Sequence, residues 1–375
     1  MLNFDVPIAP SAVNHIHGLD GLRAIAIIGV VLYHLVPDTI QGGFLGVSLF
    51  LVISGFLMMI VCERAWQKNE FSVLSFYKKR LKRIYPALFI VVLSTACFLT
   101  LFLPDELRGI RQEVLSIFGG YNNWWQISQN ASYFTRLENS SAFTHLWSLS
   151  IELQYYLVWP LLFLMYKLVS PKFSEARGAN IFLFAAILSA VVMFVLYRPG
   201  KDPSRIYYGT DTRCFSLFLG AYLGAIYSDI KRIRFSLQGK RFAIGCLVTC
   251  MTVLIAFCLF MNGQDPFTYR GGMFLADIFF TGVVALAIHP QLPVGKWLDI
   301  LPLSWIGKRS YEIYLWYFPV ISLYEKLVKT PRTPLHILIQ IAVILILSSG
   351  VHYFLAALYA SESMGGLFGN RRNHA

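Results

Sequence analysis

The chain has 375 residues, of which 56% are hydrophobic and only 14% are charged, and its formal net charge at pH 7 is +12. Soluble domains carry about 25% charged residues, so this composition excludes an ordinary soluble protein. The positive charge does not indicate nucleic-acid binding, because the basic residues lie in short segments between long apolar runs. In that position lysine and arginine encode the orientation of membrane helices.

Ten apolar runs follow one another along the chain, and each approaches the roughly 20 residues that a helix needs to cross a bilayer. We therefore predict an all-α fold, a polytopic bundle of about ten transmembrane helices. The runs lie near residues 20–37, 43–62, 84–103, 148–168, 180–197, 212–229, 242–261, 271–289, 305–325 and 335–359. No internal repeat or linker interrupts them, which predicts one membrane domain over 1–375, with a leader at 1–17 and a tail at 361–375.

The loops between these runs alternate in their basic content. One set, which includes 63–83 and the C-terminal tail, carries about twice as many Lys and Arg residues as the other set, which includes 104–147. By the positive-inside rule the first set is cytoplasmic, so we predict that both termini are cytoplasmic and that 104–147 is outside. We expect a multi-pass protein of the cytoplasmic (inner) membrane, in contact with membrane lipids.

The first apolar run contains an arginine, Arg23, and ends in a histidine, His34. Their spacing of eleven residues is close to three whole turns, so both side chains lie on one helix face, about 16 Å apart along the axis. Ionisable groups are costly inside a bilayer and mark functional sites. The alternative is that Arg23 extends to the cytoplasmic headgroups and pairs with Asp20, while His34 lies at the outer interface.

Three later runs also contain polar residues. Ser148 and Glu152 open the fourth run, Asp211 and Arg213 open the sixth, and Tyr317 lies inside the ninth. Each position has a purely structural alternative: a helix cap, a carboxylate near the positive end of the helix dipole, an interfacial arginine or a member of an aromatic belt. The fourth and sixth runs enter the membrane from the predicted outer side, where the first run ends.

The sequence indicates no metal centre. The six cysteines lie in or beside apolar runs and form no cluster with histidines, so we predict neither a metal site nor a structural disulfide. The chain ends soon after the last run, which leaves no room there for a soluble catalytic domain. Any reaction is therefore expected within the membrane domain, or with a separate extracytoplasmic partner.

These segments resemble the bacterial acyltransferase-three family, integral membrane O-acyltransferases of surface polysaccharides, in the stand-alone form without a fused extracytoplasmic domain. The resemblance covers about 15–362. The matching residues are Arg23 and His34 in "LDGLRAIAIIGVVLYH", Arg80 and Arg83 in "FYKKRLKRIYPAL", Trp147, Ser148 and Glu152 in "HLWSLSIELQYYLVWP", and Asp211 and Arg213 in "DTR". The ninth run, with "SYEIYLWYFPV", also matches. The chain departs from the family at Ser48, Leu153 and Tyr317, where members often have aspartate, glutamate and histidine.

The resemblance implies an acyl-CoA donor, most often acetyl-CoA, as a substrate, with no permanently bound cofactor. It implies an acceptor hydroxyl on a glycan or lipid-linked saccharide, such as an O-antigen or another surface polysaccharide. Arg23, Arg80 and Arg83 would bind the donor, because the planar guanidinium suits phosphate. His34 would act as a general base or as the acyl carrier, with Glu152 supporting its ring.

The remaining matching residues are expected to support this site, and they are Asp20, Trp147, Ser148, Asp211, Arg213 and Tyr317. Because Glu152 and Asp211 lie in the outer turns of their helices, we expect them to converge on His34. Direct transfer and an acyl-enzyme intermediate both remain open. The alternatives to an enzyme are a membrane transporter, in which intramembrane charges mark a substrate path, and a non-catalytic relative of the same fold.

Overall fold

The computed structural model describes residues 16–130, 141–173, 175–328, 330 and 333–369. Within these ranges the chain is helical and has no β-strand, which confirms the predicted all-α fold. The α-helices are α1 (Leu19–Leu35), α2 (Leu45–Gln67), α3 (Val73–Phe102), α4 (Ile110–Phe118), α5 (Asn122–Ser128), α6 (Trp147–Phe173), α7 (Glu175–Leu196), α8 (Ser204–Tyr208), α9 (Thr210–Arg213), α10 (Phe215–Ala225), α11 (Tyr227–Arg232), α12 (Leu237–Phe260), α13 (Met273–Ala287), α14 (Val294–Leu298), α15 (Leu301–Lys308), α16 (Ser310–Leu327) and α17 (Pro334–Gly369). Short helical turns of other types are Pro104–Leu107, Thr144–Leu146 and Thr268–Gly272.

Seven helical segments of the described chain are long and apolar enough to cross a membrane. They are Leu45–Gln67, Val73–Phe102, Thr144–Ser170, Arg177–Leu196, Leu237–Phe260, Thr268–Ala287 and Pro334–Ser361. Each coincides with one of the predicted spans, so the molecule is a multi-pass helical membrane protein.

Three predicted spans differ from the structure. The first, α1, has 17 residues and is about 25 Å long, shorter than the roughly 30 Å hydrocarbon core. The sixth, predicted as one helix over 212–229, is divided into α9, α10 and α11, and the ninth, predicted over 305–325, is divided at Arg309. Hydropathy does not detect such breaks. The break in the sixth span is tolerated because the irregular backbone there is enclosed by protein. It lies next to Arg213, which is fully buried.

The most basic segment is helical rather than the loop predicted over 63–83. Helix α2 continues to Gln67, and α3 begins at Val73 with the Ser72 hydroxyl as its N-cap. With 30 residues, α3 is about 45 Å long, so its first turns extend beyond the hydrocarbon core. The arginines of this segment therefore lie on a rigid helix face. The predicted tail is also helical at its start, because α17 runs to Gly369, whereas the predicted leader up to residue 15 lies outside the described residues.

Two contacts mark the two ends of the bundle. At one end Lys167 at the close of α6 binds Glu63 of α2, with 2.5 Å between Nζ and Oε2. At the other end the backbone N–H of Gly42 donates to the carbonyl oxygen of Cys258 at 2.8 Å. After the predicted orientation, we call these the inner end and the outer end.

Helices α2 and α10 pack directly on each other at the centre of the bundle. A Cβ atom at Gly55 would lie 2.0 Å from the carbonyl oxygen of Leu217, and one at Gly220 would lie 2.0 Å from that of Val52. A larger residue at either position would clash with backbone, so glycine permits the close approach that small residues allow in membrane helix pairs. This contact holds the short α10 deep in the molecule.

The outer end is covered by α4 and α5, which are tied to the bundle by buried amides. Asn123 is fully buried, and its Nδ2 donates to the Tyr208 carbonyl oxygen at 3.0 Å and to the Thr210 hydroxyl at 2.9 Å. Gln154 of α6 donates to Asn123 Oδ1 at 2.8 Å. Because buried amides need partners, this network fixes how the cover sits on α6 and α9.

Candidate active site

One face of the fourth predicted span carries a row of polar side chains, which we call the polar track. Its members are His145, Ser148, Glu152 and Tyr156, and their spacing of three, four and four residues places them on one side of the helix. His145, Ser148 and Tyr156 are buried inside the bundle. The track therefore runs along the interior of the protein, from the outer end toward the inner end.

Glu152 lies on the polar track between Ser148 and Tyr156, and its carboxylate accepts two hydrogen bonds. The Ser54 hydroxyl of α2 and the Tyr156 hydroxyl, one turn further along α6, both donate to its Oε1. The two hydroxyl oxygens are 2.8 Å apart. These two donors fix the position of the partly buried Glu152 carboxylate between α2 and α6.

Arginine side chains surround the inner part of the polar track. The guanidinium carbon of Arg80 lies 5.3 Å from the centre of the Tyr156 ring, within cation–π distance. Arg23 interacts electrostatically with both Tyr156 and Arg83. Arg83 is exposed, so this arginine cluster (Arg23, Arg80 and Arg83) is open to the inner end. The predicted Asp20–Arg23 pair is present, with 3.2 Å between Oδ1 and Nη1.

His34 lies at the outer part of the site, where its side chain is buried. Its Nδ1 is 2.9 Å from the carbonyl oxygen of Val30, which assigns the ring proton to Nδ1 and the lone pair to Nε2. The ring centre lies 5.2 Å from that of Tyr317 and 5.3 Å from that of Phe318. In this tautomer Nε2 is the ring nitrogen that can accept a proton.

A second histidine, His145, faces the same two aromatic rings. Its ring centre lies 5.2 Å from that of Tyr317 and 5.3 Å from that of Phe318. It also interacts electrostatically with His34. His145 is not among the site residues predicted from the sequence, although it begins the segment "HLWSLSIELQYYLVWP". Its spacing of three residues from Ser148 and seven from Glu152 was the available signal.

Tyr314 of α16 joins the two parts of the site. Its hydroxyl lies 2.9 Å from the Ser148 hydroxyl and donates to the carbonyl oxygen of His145. Glu152 is seven residues from His145, roughly 10 Å along the helix axis. The polar side chains are therefore continuous from the arginine cluster to His34 and His145.

The expected convergence of the outer carboxylates on His34 is wrong for the described structure. Glu152 contacts Ser54 and Tyr156, next to the arginine cluster. Asp211 lies at the surface, where both of its oxygens bind Arg205 at 3.1 and 2.9 Å. The physical reason is that each carboxylate follows its nearest available donors, which are set by helix packing and not by depth in the membrane.

Arg213 forms a separate buried site at the start of α10. Its Nη2 lies 3.2 Å from the Ser48 hydroxyl, and its guanidinium carbon lies 5.1 Å from the centre of the Tyr207 ring and 5.9 Å from that of Trp147. The buried Asp277 of α13 lies beside Ser48 and interacts electrostatically with this arginine. A buried carboxylate from another helix therefore lies beside Ser48.

The fold is that of a multi-pass helical membrane protein, with an arginine cluster at the inner end and a buried histidine pair toward the outer end. The chain belongs to the acyltransferase family whose model, described as "Acyltransferase domain", matches residues 16–354. This match confirms the family resemblance and favours an acyltransferase over a transporter. No solved structure matches the chain.

Three relatives illustrate the similarity. The chain is 37% identical over 348 residues to YrhL of Bacillus subtilis, covering 91% of this chain and 54% of the relative. It is 37% identical over 314 residues to the peptidoglycan O-acetyltransferase OatA of Listeria monocytogenes, covering 82% and 50%. It is 34% identical over 335 residues to the O-acetyltransferase OatA of Staphylococcus aureus, covering 87% and 54%. The chain thus spans about half the length of the curated relatives it matches.

Proposed function

We propose that this protein is an O-acetyltransferase of the cytoplasmic membrane that transfers an acetyl group from acetyl-CoA to a hydroxyl of a cell-envelope glycan. The observation that supports this function best is the polar track of α6, which links an arginine cluster at the inner end to a histidine pair toward the outer end. Because a curated relative is named a peptidoglycan O-acetyltransferase, peptidoglycan is favoured as the acceptor over an O-antigen.

The arginine cluster is suited to the donor. Coenzyme A carries several phosphate charges, and arginine binds phosphate through a planar, permanently charged fork. Arg83 is exposed at the inner end, whereas Arg23 is only partly exposed and lies deeper. A bound acyl-CoA would place its phosphates on Arg80 and Arg83 and pass its acyl arm by Arg23 along the polar track. The distance of about 16 Å between Arg23 and His34 is of the order of an extended pantetheine arm.

The histidine pair is suited to the transfer. Nε2 of His34 can remove the proton from an acceptor hydroxyl, whose oxygen then attacks the thioester carbon and releases the CoA thiolate. His34 can alternatively accept the acetyl group first and pass it to the acceptor. Glu152 acts further inside, where its bonds to Ser54 and Tyr156 orient these hydroxyls beside the arginines and the passing donor.

The proposal is tested with the full chain purified in detergent or nanodiscs. We expect it to release CoA from acetyl-CoA and to transfer a radiolabelled acetyl group to a soluble glycan oligosaccharide. The variant His34→Ala should lose this transfer. If the wild-type protein neither releases CoA nor transfers acetyl groups, but carries a solute across proteoliposome membranes, the transporter alternative is correct. If transfer needs added envelope proteins, the separate extracytoplasmic partner is real.

A further inference from the structure

A cavity of about 230 Å³ opens at the outer end, and no step described above uses it. Its walls come from the loop between α1 and α2 and from the loop that follows α12. The lining residues are Tyr33, Pro37, Gln41, Asn262, Gly263 and Gln264. The volume lies slightly below the roughly 300–1,000 Å³ typical of small-molecule sites, so the cavity fits one sugar residue rather than a long polymer.

Hydrogen bonds fix the loop after α12 in its cavity-lining conformation. The Tyr269 hydroxyl donates to the carbonyl oxygen of Gly263 at 2.5 Å. The Thr268 hydroxyl donates to the carbonyl oxygen of Asn262 at 2.6 Å, and the backbone N–H of Gln264 donates to Asn262 Oδ1 at 2.9 Å. A wall held by three hydrogen bonds is preformed, which lowers the entropy lost when a ligand binds.

The loop between α1 and α2 is attached to the same wall. The backbone N–H of Gly42 donates to the carbonyl oxygen of Cys258, the third residue from the C-terminal end of α12. A Cβ atom at Gly42 would lie 2.1 Å from the carbonyl oxygen of Phe257, so only glycine permits this approach of the two backbones. The two sides of the cavity are therefore held together and cannot separate without breaking this contact.

The lining has the chemistry of a site for a neutral sugar. Three side-chain amides, of Gln41, Asn262 and Gln264, surround the opening, and each amide combines a donor and an acceptor as sugar hydroxyl and acetamido groups require. In the described residues, the Gln41 and Gln264 side chains make no hydrogen bond to another protein group, so they are available to a ligand. No charged residue lines the cavity, and the flanking charges at Asp38 and Asp265 are acidic and exposed, which disfavours an anionic ligand.

The cavity is connected to the reacting histidine through Tyr33. The Tyr33 ring lines the cavity and makes an edge-on contact with the His34 ring, with 4.9 Å between their centres. A sugar packed against Tyr33 would be separated from the buried His34 ring by this one side chain. We infer that this cavity is the acceptor subsite and binds one neutral, N-acetylated sugar residue of the glycan, an inference that rests on the proposed function for its role in transfer.

The test measures binding directly. Radiolabelled tri-N-acetylchitotriose, a neutral N-acetylated oligosaccharide, is equilibrated by dialysis with the purified full chain. We expect saturable binding by the wild type. In Gln41→Ala/Gln264→Ala the affinity should fall by about tenfold or more, because two amide contacts are removed. Gln129→Ala, which removes an exposed outer amide that donates to the Ser128 hydroxyl, should bind like the wild type. Gln264→Glu, which introduces a charge at an exposed position, should also bind weakly.

Each outcome is decisive. The inference is overturned if the wild type shows no saturable binding, if the double variant binds as tightly as the wild type, or if tri-galacturonate, an anionic trisaccharide, binds equally well. The melting temperature in detergent, measured on the same samples, shows that the variants are folded. Failure of the proposed function has a different signature, namely a wild-type protein that binds the oligosaccharide but does not turn over acetyl-CoA.

Discussion

His34 and His145 pack against the same two side chains, Tyr317 and Phe318, although they belong to different helices. The described structure thus pairs His34 with a second imidazole where the sequence predicted a carboxylate. An imidazole next to a reacting histidine can orient it or take part in moving the same proton. Tyr317 contributes one of the two rings on which both imidazoles pack.

The first prediction concerns this histidine pair. We expect His34→Ala to lower the rate of acetyl transfer by at least about 100-fold, the usual contribution of a general base. His145→Ala should lower it by a smaller factor. If the two residues act as one unit, the double variant should be no slower than His34→Ala alone, because the effects of such residues are not additive.

The measurement is a double-mutant cycle on transfer rates in matched preparations. Tyr121→Ala, at an exposed outer position, serves as the control for the effect of removing a ring at this end of the protein. Losses that add fully across the cycle would show that His145 only fills space beside His34.

The second prediction concerns Glu152. Because its partners Ser54 and Tyr156 lie next to Arg80, we expect Glu152→Gln to raise the KM for acetyl-CoA, by about tenfold or more, and to leave the pH profile of kcat unchanged. Tyr156→Phe, which removes one donor to the carboxylate, should reproduce part of the effect. A shifted pH profile with an unchanged donor KM would instead show that Glu152 supports His34, as the sequence suggested.

The third prediction concerns Arg23. Arg23→Lys keeps the charge but removes the planar fork, so donor affinity should fall by about tenfold if the guanidinium binds phosphate. Lys79→Ala removes an exposed basic residue one residue before Arg80 and should change the donor KM little, because exposed charges are screened. Equal donor affinity in Arg23→Lys and the wild type would show that Arg23 interacts only with headgroups and Asp20.

The sequence predicted the spans whose signal is local. Apolar runs gave the seven long helices, and the spacing of three residues predicted the Asp20–Arg23 pair. The sequence did not predict the division of the sixth span next to Arg213. Hydropathy is averaged over a window of residues, and the average hides the polar residues at this break. The partners of Glu152 and His34 also could not be predicted, because contacts between helices depend on packing that no periodicity encodes.

The fourth prediction concerns stability. Arg213 and Asp277 are both buried and interact electrostatically, so Arg213→Ala removes a favourable charge near a buried carboxylate and should lower the melting temperature in detergent. Arg213→Ala/Asp277→Ala should lose less than the sum of its single variants. Arg205→Ala breaks the exposed pair with Asp211 and should cost no more than about 1 kcal/mol. Similar losses in both arginine variants would contradict the buried-pair account.

The fifth prediction concerns Glu113 of α4, a buried carboxylate in the cover at the outer end. Burial raises the pKa of Glu113 from 4.5 to about 7, although the Ser141 hydroxyl donates to it at 2.5 Å and Gln126 donates to it at 3.2 Å. Between pH 4.5 and pH 7 the folded protein keeps a proton on Glu113 that the unfolded chain has released. Stability from this group is therefore complete below pH 4.5 and is lost as the pH rises toward and through 7.

The variant Glu113→Gln is neutral at every pH and should remove this dependence. We expect its melting temperature in detergent to match the wild type at pH 5 and to exceed it at pH 8, by a difference in unfolding free energy on the order of 3 kcal/mol. The matched control is Glu106→Gln in the same outer segment, whose carboxylate is 41% exposed and binds Lys326. This variant should keep the pH dependence of the wild type. A wild-type protein that is equally stable at pH 5 and pH 8 would show that Glu113 is solvated and ionised in the folded state.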